Sequence, residues 1–135
     1  MQRDGDASGS RRDRGAQVVR EVFGEQFLER TMGAVGPDDG SAPAAMARLA
    51  LEQCYGDIWS RPGLGRRERS LVTLGILIAE GHLGELANHV SGARGNGITR
   101  EELTEVALHA VPYVGFPAAG QAMQVMESAW SSSSE

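Results

Sequence analysis

Residues 66–97 read RRERSLVTLGILIAEGHLGELANHVSGARGNG, and the fold class turns on this stretch. Its first half opens with charge and continues through Leu71, Val72, Leu74, Ile76, Leu77 and Ile78, apolar on nearly every side. That pattern predicts a central, enclosed helix over 66–80; a buried strand is the alternative, and the length and the Arg/Glu opening favour the helix. A second, shorter helix is expected from His82 to Gly95. It stops at Asn96-Gly97, where glycine can take the left-handed C-terminal conformation.

Working outward, Thr99-Arg100-Glu101-Glu102 fits a capping box, in which hydroxyl and carboxylate satisfy each other's exposed amides. Leu103, Val106, Ala107 and Ala110 then supply a core face up to an expected break at Pro112, and a last helix follows from Pro117 to Trp130. Upstream, Ser41 caps a helix with Pro43 in its first turn and an apolar face of Met46, Leu49, Ala50, Cys54, Ile58 and Trp59. Arg61-Pro62-Gly63-Leu64-Gly65 ends it. Gln17 to Met32 predicts a helix or a helix pair interrupted at Gly24, and Gly33 to Gly40 a loop. Residues 1–15, rich in Arg, Asp, Gly and Ser, lack a buriable pattern and are expected to be a mobile arm, with 131–135 a frayed tail. One all-α domain over 16–130 is the resulting expectation.

The whole chain has 135 residues, 41% hydrophobic and 23% charged, which suits one globular domain. A net charge of -5 with no basic block disfavours a grip on nucleic-acid backbones. The single cysteine, Cys54, allows no intrachain disulfide and fits a reducing cytoplasm. The longest apolar run, around Leu71 to Ala79, falls short of the ~20 residues that span a bilayer, so no membrane partner is expected.

Five pieces of sequence carry a family likeness: YGDIW at 55–59, RPGL at 61–64 followed by RERSLVTL at 67–74, ELANHVSGA at 85–93, NGITREELTEV at 96–106 and YVGFPAA at 113–119. In this order and spacing the chain resembles the carboxymuconolactone decarboxylase family, within the alkylhydroperoxidase D-like superfamily. The resemblance implies a helical subunit with a central antiparallel hairpin, assembled as a dimer, trimer or hexamer. It also implies a cofactor-free reaction in which a small carboxylated lactone such as 4-carboxymuconolactone loses carbon dioxide. Peroxidases of the superfamily use a CxxC pair before a histidine; here His82 to His89 contains no cysteine, which argues against thiol peroxidase chemistry.

Glu85 and His89 are four residues apart, so a helix puts them on one face, where a carboxylate can orient an imidazole and raise its basicity. Spacing alone favours a surface pair worth a few tenths of a kcal/mol. The resemblance places the acid/base residue at the histidine of ELxxH, which makes His89 the candidate for proton transfer, with Glu85 holding its tautomer. Arg69 is a candidate to bind a carboxylate or oxyanion through its two parallel donors, with Arg66 and Arg67 weaker ones. Trp59, Tyr113 and Phe116 are candidates for an apolar wall, with core packing or a subunit interface as equal readings. Glu52 shares a predicted face with Trp59, seven residues on, and is a candidate to reach the cavity, with a solvated carboxylate as the blander reading; Cys54 is read as a core or pocket-wall residue. His82, Glu85 and His89 lack HExxH spacing, so no metal is expected, and His109 reads as packed or partly exposed. Gly84, and SGAR at 91–94 where the family commonly has RGAL, keep two alternatives open: an isomerase or cyclase of the same fold, or a non-catalytic oligomer that binds a small ligand.

Overall fold

A computed structural model describes residues 3–36 and 39–133. The described chain is helical throughout its regular elements and forms two compact units, Met1–Gly63 and Leu64–Glu135, where one domain is expected from length. No described helix is long and apolar enough to cross a membrane.

The first unit holds α1 (Arg3–Phe23), α2 (Glu25–Val35), α3 (Ala42–Leu49) and a π-helical segment, Ala50–Ile58, that continues α3. Gly24, at φ 94°, separates α1 from α2, a backbone angle that a side chain would strain. The helix pair expected around this glycine is therefore present. Ser41 caps α3, its Oγ accepting from the Ala44 amide at 3.3 Å. Val19, Leu28, Val35 and Leu51 form one buried cluster, and Val18, Val22 and Trp59 another, with Phe23 stacked on Phe27 and edge-on to Tyr55.

Two expectations are corrected in this unit. Residues 11–15, within the expected arm, belong to α1 and have partners far along the chain: Arg11 pairs with Asp57 at 2.7 Å and Arg12 with Glu52 at 3.3 Å. The buried face of the third helix is also displaced. Ala44, Leu51, Gly56 and Trp59 point inward, whereas Met46, Leu49 and Ile58 are exposed: Ala44 and Leu51 stand two α turns apart on the other side of α3 from Met46 and Leu49, and the wider π turns shift the face only beyond Ala50. Of the expected loop at 33–40, residues 33–35 belong to α2, and positions 37–38 lie outside the described residues, as do 1–2 and 134–135.

The second unit contains α4 (Arg66–Glu80), α5 (Leu83–Gly95), α6 (Arg100–Val114) and α7 (Phe116–Ser132). Helices α4 and α7 each pack on both α5 and α6. Their shared core is Leu74, Ile78, Leu86, Val90, Ile98, Leu103 and Met126, with alanines 93, 107 and 122 closing the spacing. Each of the larger side chains contributes on the order of 1.5–3 kcal/mol by leaving water. Exposed Val72 and Ile76 show that α4 is not enclosed on every side. Pro112 does not end α6; the helix continues to Val114 and turns at Gly115, φ 89°, because the proline removes one amide donor whereas the glycine supplies the reversal. The tail expected from 131 is helical through Ser132.

Helices α4 and α5 form an antiparallel hairpin. Gly81 adopts the left-handed conformation at φ 71° and His82 donates to Leu77 O at 3.0 Å, closing α4 in a Schellman-type turn. At the other end Asn96 Nδ2 donates to Ser70 Oγ at 2.7 Å and to Arg66 O at 3.4 Å, so the end of α5 is bound to the start of α4. Ser70 is only 3% exposed. Asn96→Ala leaves its hydroxyl without this donor and is expected to destabilise the chain by about 1–3 kcal/mol. A lowered urea midpoint at unchanged slope will register the loss; an unchanged midpoint would refute it. The Thr99 capping box that starts α6 forms as expected, with both reciprocal bonds made.

Candidate active site

Helix α5 carries the candidate acid/base pair. Leu86, Val90 and Ala93 fix its buried face. At 3.6 residues per turn His89 lies about 60° from Leu86 around the axis, and Glu85 about 100° away on the same side. The result matches that geometry: the His89 ring is half-buried at the edge of the core, whereas Glu85 is exposed one turn before it. Burial pushes the imidazole below its ordinary range, and the Glu85 charge opposes that shift only in part. At neutral pH the free protein therefore holds His89 mainly as neutral imidazole.

Arg69 stands near the start of α4, half-buried, with its Nε covered. It neighbours Ser70 and hence the Asn96 end of the hairpin. Glu85 belongs to the opposite end, eleven residues or roughly 16 Å of helix rise from Asn96, and His89 lies between them. The hairpin therefore spaces Arg69, His89 and Glu85 along its length instead of clustering all three. Such spacing suits a substrate whose anionic group and reacting carbon are separate.

Tyr113 and Phe116, expected as an apolar wall, are each 78% exposed, so the described chain does not enclose a cavity with them. Leu103 and Ala107 direct the inner face of α6 and turn Tyr113 outward, while Phe116 starts α7 immediately after the reversal at Gly115. Tyr113 borders a groove of about 690 Å³ between α4 and α6, floored by Leu71, Gly75, Val106 and Ala110. His109, exposed, borders the same groove, with its ring 5.5 Å from that of Tyr113. His89, Glu85 and Arg69 are not among its lining residues. The groove's floor is apolar, His109 and Tyr113 stand at its rim, and Glu102 at its edge is paired with Arg67.

In the first unit Glu52, Cys54 and Trp59 share the π-helical segment and its end. Glu52 is 13% exposed at its side chain and paired with Arg12, so it is neither a solvated carboxylate nor a free one. Trp59 is buried in the core. Its indole bonds Cys54, whose thiol burial pushes upward in pKa and so keeps protonated. Sequence reasoning missed the Arg11, Arg12 and Arg14 contacts altogether, since their partners lie 40 to 46 residues away along the chain. Among the described residues no three His, Cys, Asp or Glu side chains are grouped to hold a metal ion.

Residues 44–128 match the carboxymuconolactone decarboxylase family. The chain is 38% identical over 113 residues to the 4-carboxymuconolactone decarboxylase of Acinetobacter baylyi, covering 84% of this chain and 81% of that protein. It is 37% identical over 115 residues to the nitrosuccinic acid decarboxylase of Metarhizium robertsii, covering 85% and 78%. An uncharacterized 15.0 kDa protein of Paracoccus denitrificans is 30% identical over 113 residues, covering 82% and 79%. With a matching family region over most of its length and two decarboxylases at this identity, the chain belongs to the carboxymuconolactone decarboxylase family and is a decarboxylase-like lyase.

Proposed function

We propose that this protein removes carbon dioxide from a small carboxylated substrate without a cofactor, with His89 returning the proton to carbon. The observation that carries the reading is a half-buried imidazole beside a carboxylate on a helix fixed at both ends. A carboxylated lactone such as 4-carboxymuconolactone is the leading substrate. The two relatives named for decarboxylation act on a lactone and on a nitro acid, and both names describe a carboxylate near an electron-accepting group. In each the carbon–carbon bond to the carboxylate breaks, carbon dioxide leaves, and the electron pair moves into the acceptor. Protonation of carbon then completes the reaction, so one proton is consumed per turnover. Because the substrate carries its own electron sink, no cofactor is required of the protein.

The neutral resting state of His89 fits this cycle. An anionic substrate beside the ring favours imidazolium, which draws a proton from water on binding and places the donor where the carbanion forms. Arg69 holds the acceptor oxygen or a second carboxylate of the substrate, apart from the carbon that His89 protonates. Incubation with 4-carboxymuconolactone or nitrosuccinic acid is expected to release carbon dioxide from at least one of them. For that substrate kcat/KM falls as pH rises through the depressed pKa of free His89, while the limb in kcat lies at higher pH. No carbon dioxide from either compound, or kcat/KM rising with pH across the imidazole range, would reject this assignment. Proton exchange without carbon dioxide release would instead favour the isomerase reading.

We also infer that the chain associates with copies of itself. Val72, Ile76, Leu108, Tyr113 and Phe116 leave large apolar side chains in water on the second unit, an arrangement that favours covering by a partner. Sedimentation equilibrium is expected to give a multiple of 14.4 kDa. A monomer mass at micromolar concentration would exclude it.

A further inference from the structure

We propose that the Arg11–Gly15 stretch of α1 is a clamp that holds Ala50–Ile58 in its π-helical register, and that releasing the clamp lets this segment narrow into an α-helix. This inference does not depend on the decarboxylase reading. π-Helical geometry is rare and is usually confined to one turn, because its bonds to the fifth residue widen the helix and weaken its internal packing. Here nine residues adopt it in one run. A run of that length calls for stabilisation from outside the segment.

The contacts that supply it converge from one side. Gly15 and Gly56 bring two backbones together: a Cβ at Gly15 would overlap Leu51 O, and one at Gly56 would overlap Arg11 O. Arg11 grips Asp57 with two nitrogens, at 3.0 and 2.7 Å. Arg14 reaches the same carboxylate at 3.6 Å and donates through Nε to Gly56 O at 3.3 Å, satisfying a carbonyl near the end of the segment. Arg12 holds Glu52 at the segment's start. Four residues of α1, Arg11, Arg12, Arg14 and Gly15, thus engage the segment from its first turn to its last.

The register has an internal reporter. Trp59 N–H donates to Cys54 O at 2.9 Å, and the Trp59 indole also bonds the Cys54 thiol, so residues five apart lie one above the other. In an α-helix residues three and four apart are stacked instead, and this thiol–indole contact is broken. Register is therefore readable as Cys54 reactivity and as Trp59 emission, which a touching thiol quenches.

The experiment compares the chain carrying Trp130→Phe, which leaves Trp59 as the sole tryptophan, with the same chain also carrying Arg11→Gln and Arg14→Gln. Release is expected to accelerate disulfide-reagent labelling of Cys54 by about three- to ten-fold, the scale set by losing exposed ion pairs. Trp59 emission rises, while far-UV helicity and amide protection across 50–58 are retained. Unchanged labelling and emission in a folded variant would overturn the clamp, because the segment would then hold its own register. Lost protection across 50–58 would overturn the narrowing, because the segment would then unfold. Should the variant fail to fold, a salt titration of the Trp130→Phe chain decides, since about 1 M NaCl shortens the Debye length to about 3 Å and weakens the same pairs. Faster labelling with retained helicity supports the proposal, and a flat response overturns it.

Discussion

Replacing His89 with glutamine is expected to lower kcat/KM for decarboxylation by about 10²–10⁴-fold, the range that a positioned proton donor contributes. Glutamine approximates the size of the ring and keeps hydrogen-bonding capacity, but it cannot carry a proton to carbon. The large effect should appear in kcat, with KM changing less, because the proton is needed in the transition state and not for binding. Glu85→Gln should have a smaller effect, since that carboxylate is exposed and only partly offsets the burial of the ring. Stability supplies the control. The folded-state pKa of His89 is below its unfolded value, so the unfolded chain binds more protons in acid, and this residue's contribution to stability is lost as pH falls through the folded pKa. His89→Gln should therefore match the parent chain at neutral pH and lose less stability in acid. Turnover within a few-fold of the parent value, with the fold intact, would remove His89 from the reaction.

Alanine at Gly56 should destabilise the protein by about 1–3 kcal/mol, the cost of forcing extra volume into a filled contact. Helix propensity alone points the other way, since alanine is favoured over glycine inside a helix by roughly 0.5–1 kcal/mol. Which effect wins depends on what the new methyl meets. At Gly56 it meets the carbonyl oxygen of Arg11, and backbone cannot rotate aside as a side chain can. Gly15→Ala faces Leu51 O and carries the same expectation. Gly33 in α2 is the internal comparison: nothing lies within 4 Å of its added Cβ, so alanine there should stabilise by about 0.4–1 kcal/mol. Denaturant unfolding of the three variants distinguishes the cases. A Gly56→Ala chain as stable as the parent would mean that α1 and the π-helical segment do not meet backbone to backbone.

The sequence made some of this legible and hid the rest, for identifiable reasons. Helices α4 and α5 were readable because an apolar run long enough for several turns is followed by Asn96-Gly97, and because a capping box marks the start of α6. The Glu85–His89 pair followed from spacing, which is a local property. Whether its ring was covered was not, since that depends on how the face set by Leu86 and Val90 meets the other helices. The N-terminal segment was misread because its arginines have partners 40 and 46 residues away, and composition is blind to partners. Ile58 was assigned to a buried face on the assumption of α periodicity, which fails where the turns widen, whereas Met46 and Leu49 sit on α3 opposite the side that Ala44 buries. Pro112 was overweighted: a proline costs a donor, yet the chain reverses only at Gly115.

The hairpin fastenings at Gly81 and Asn96 bear on how the imidazole meets its reactant. A rod secured at its two extremities bends least freely, and position 89 occupies its span. In the proposed reaction, much of the freedom that a proton donor at 89 must surrender is thus given up when the chain folds, leaving the arriving molecule to align itself.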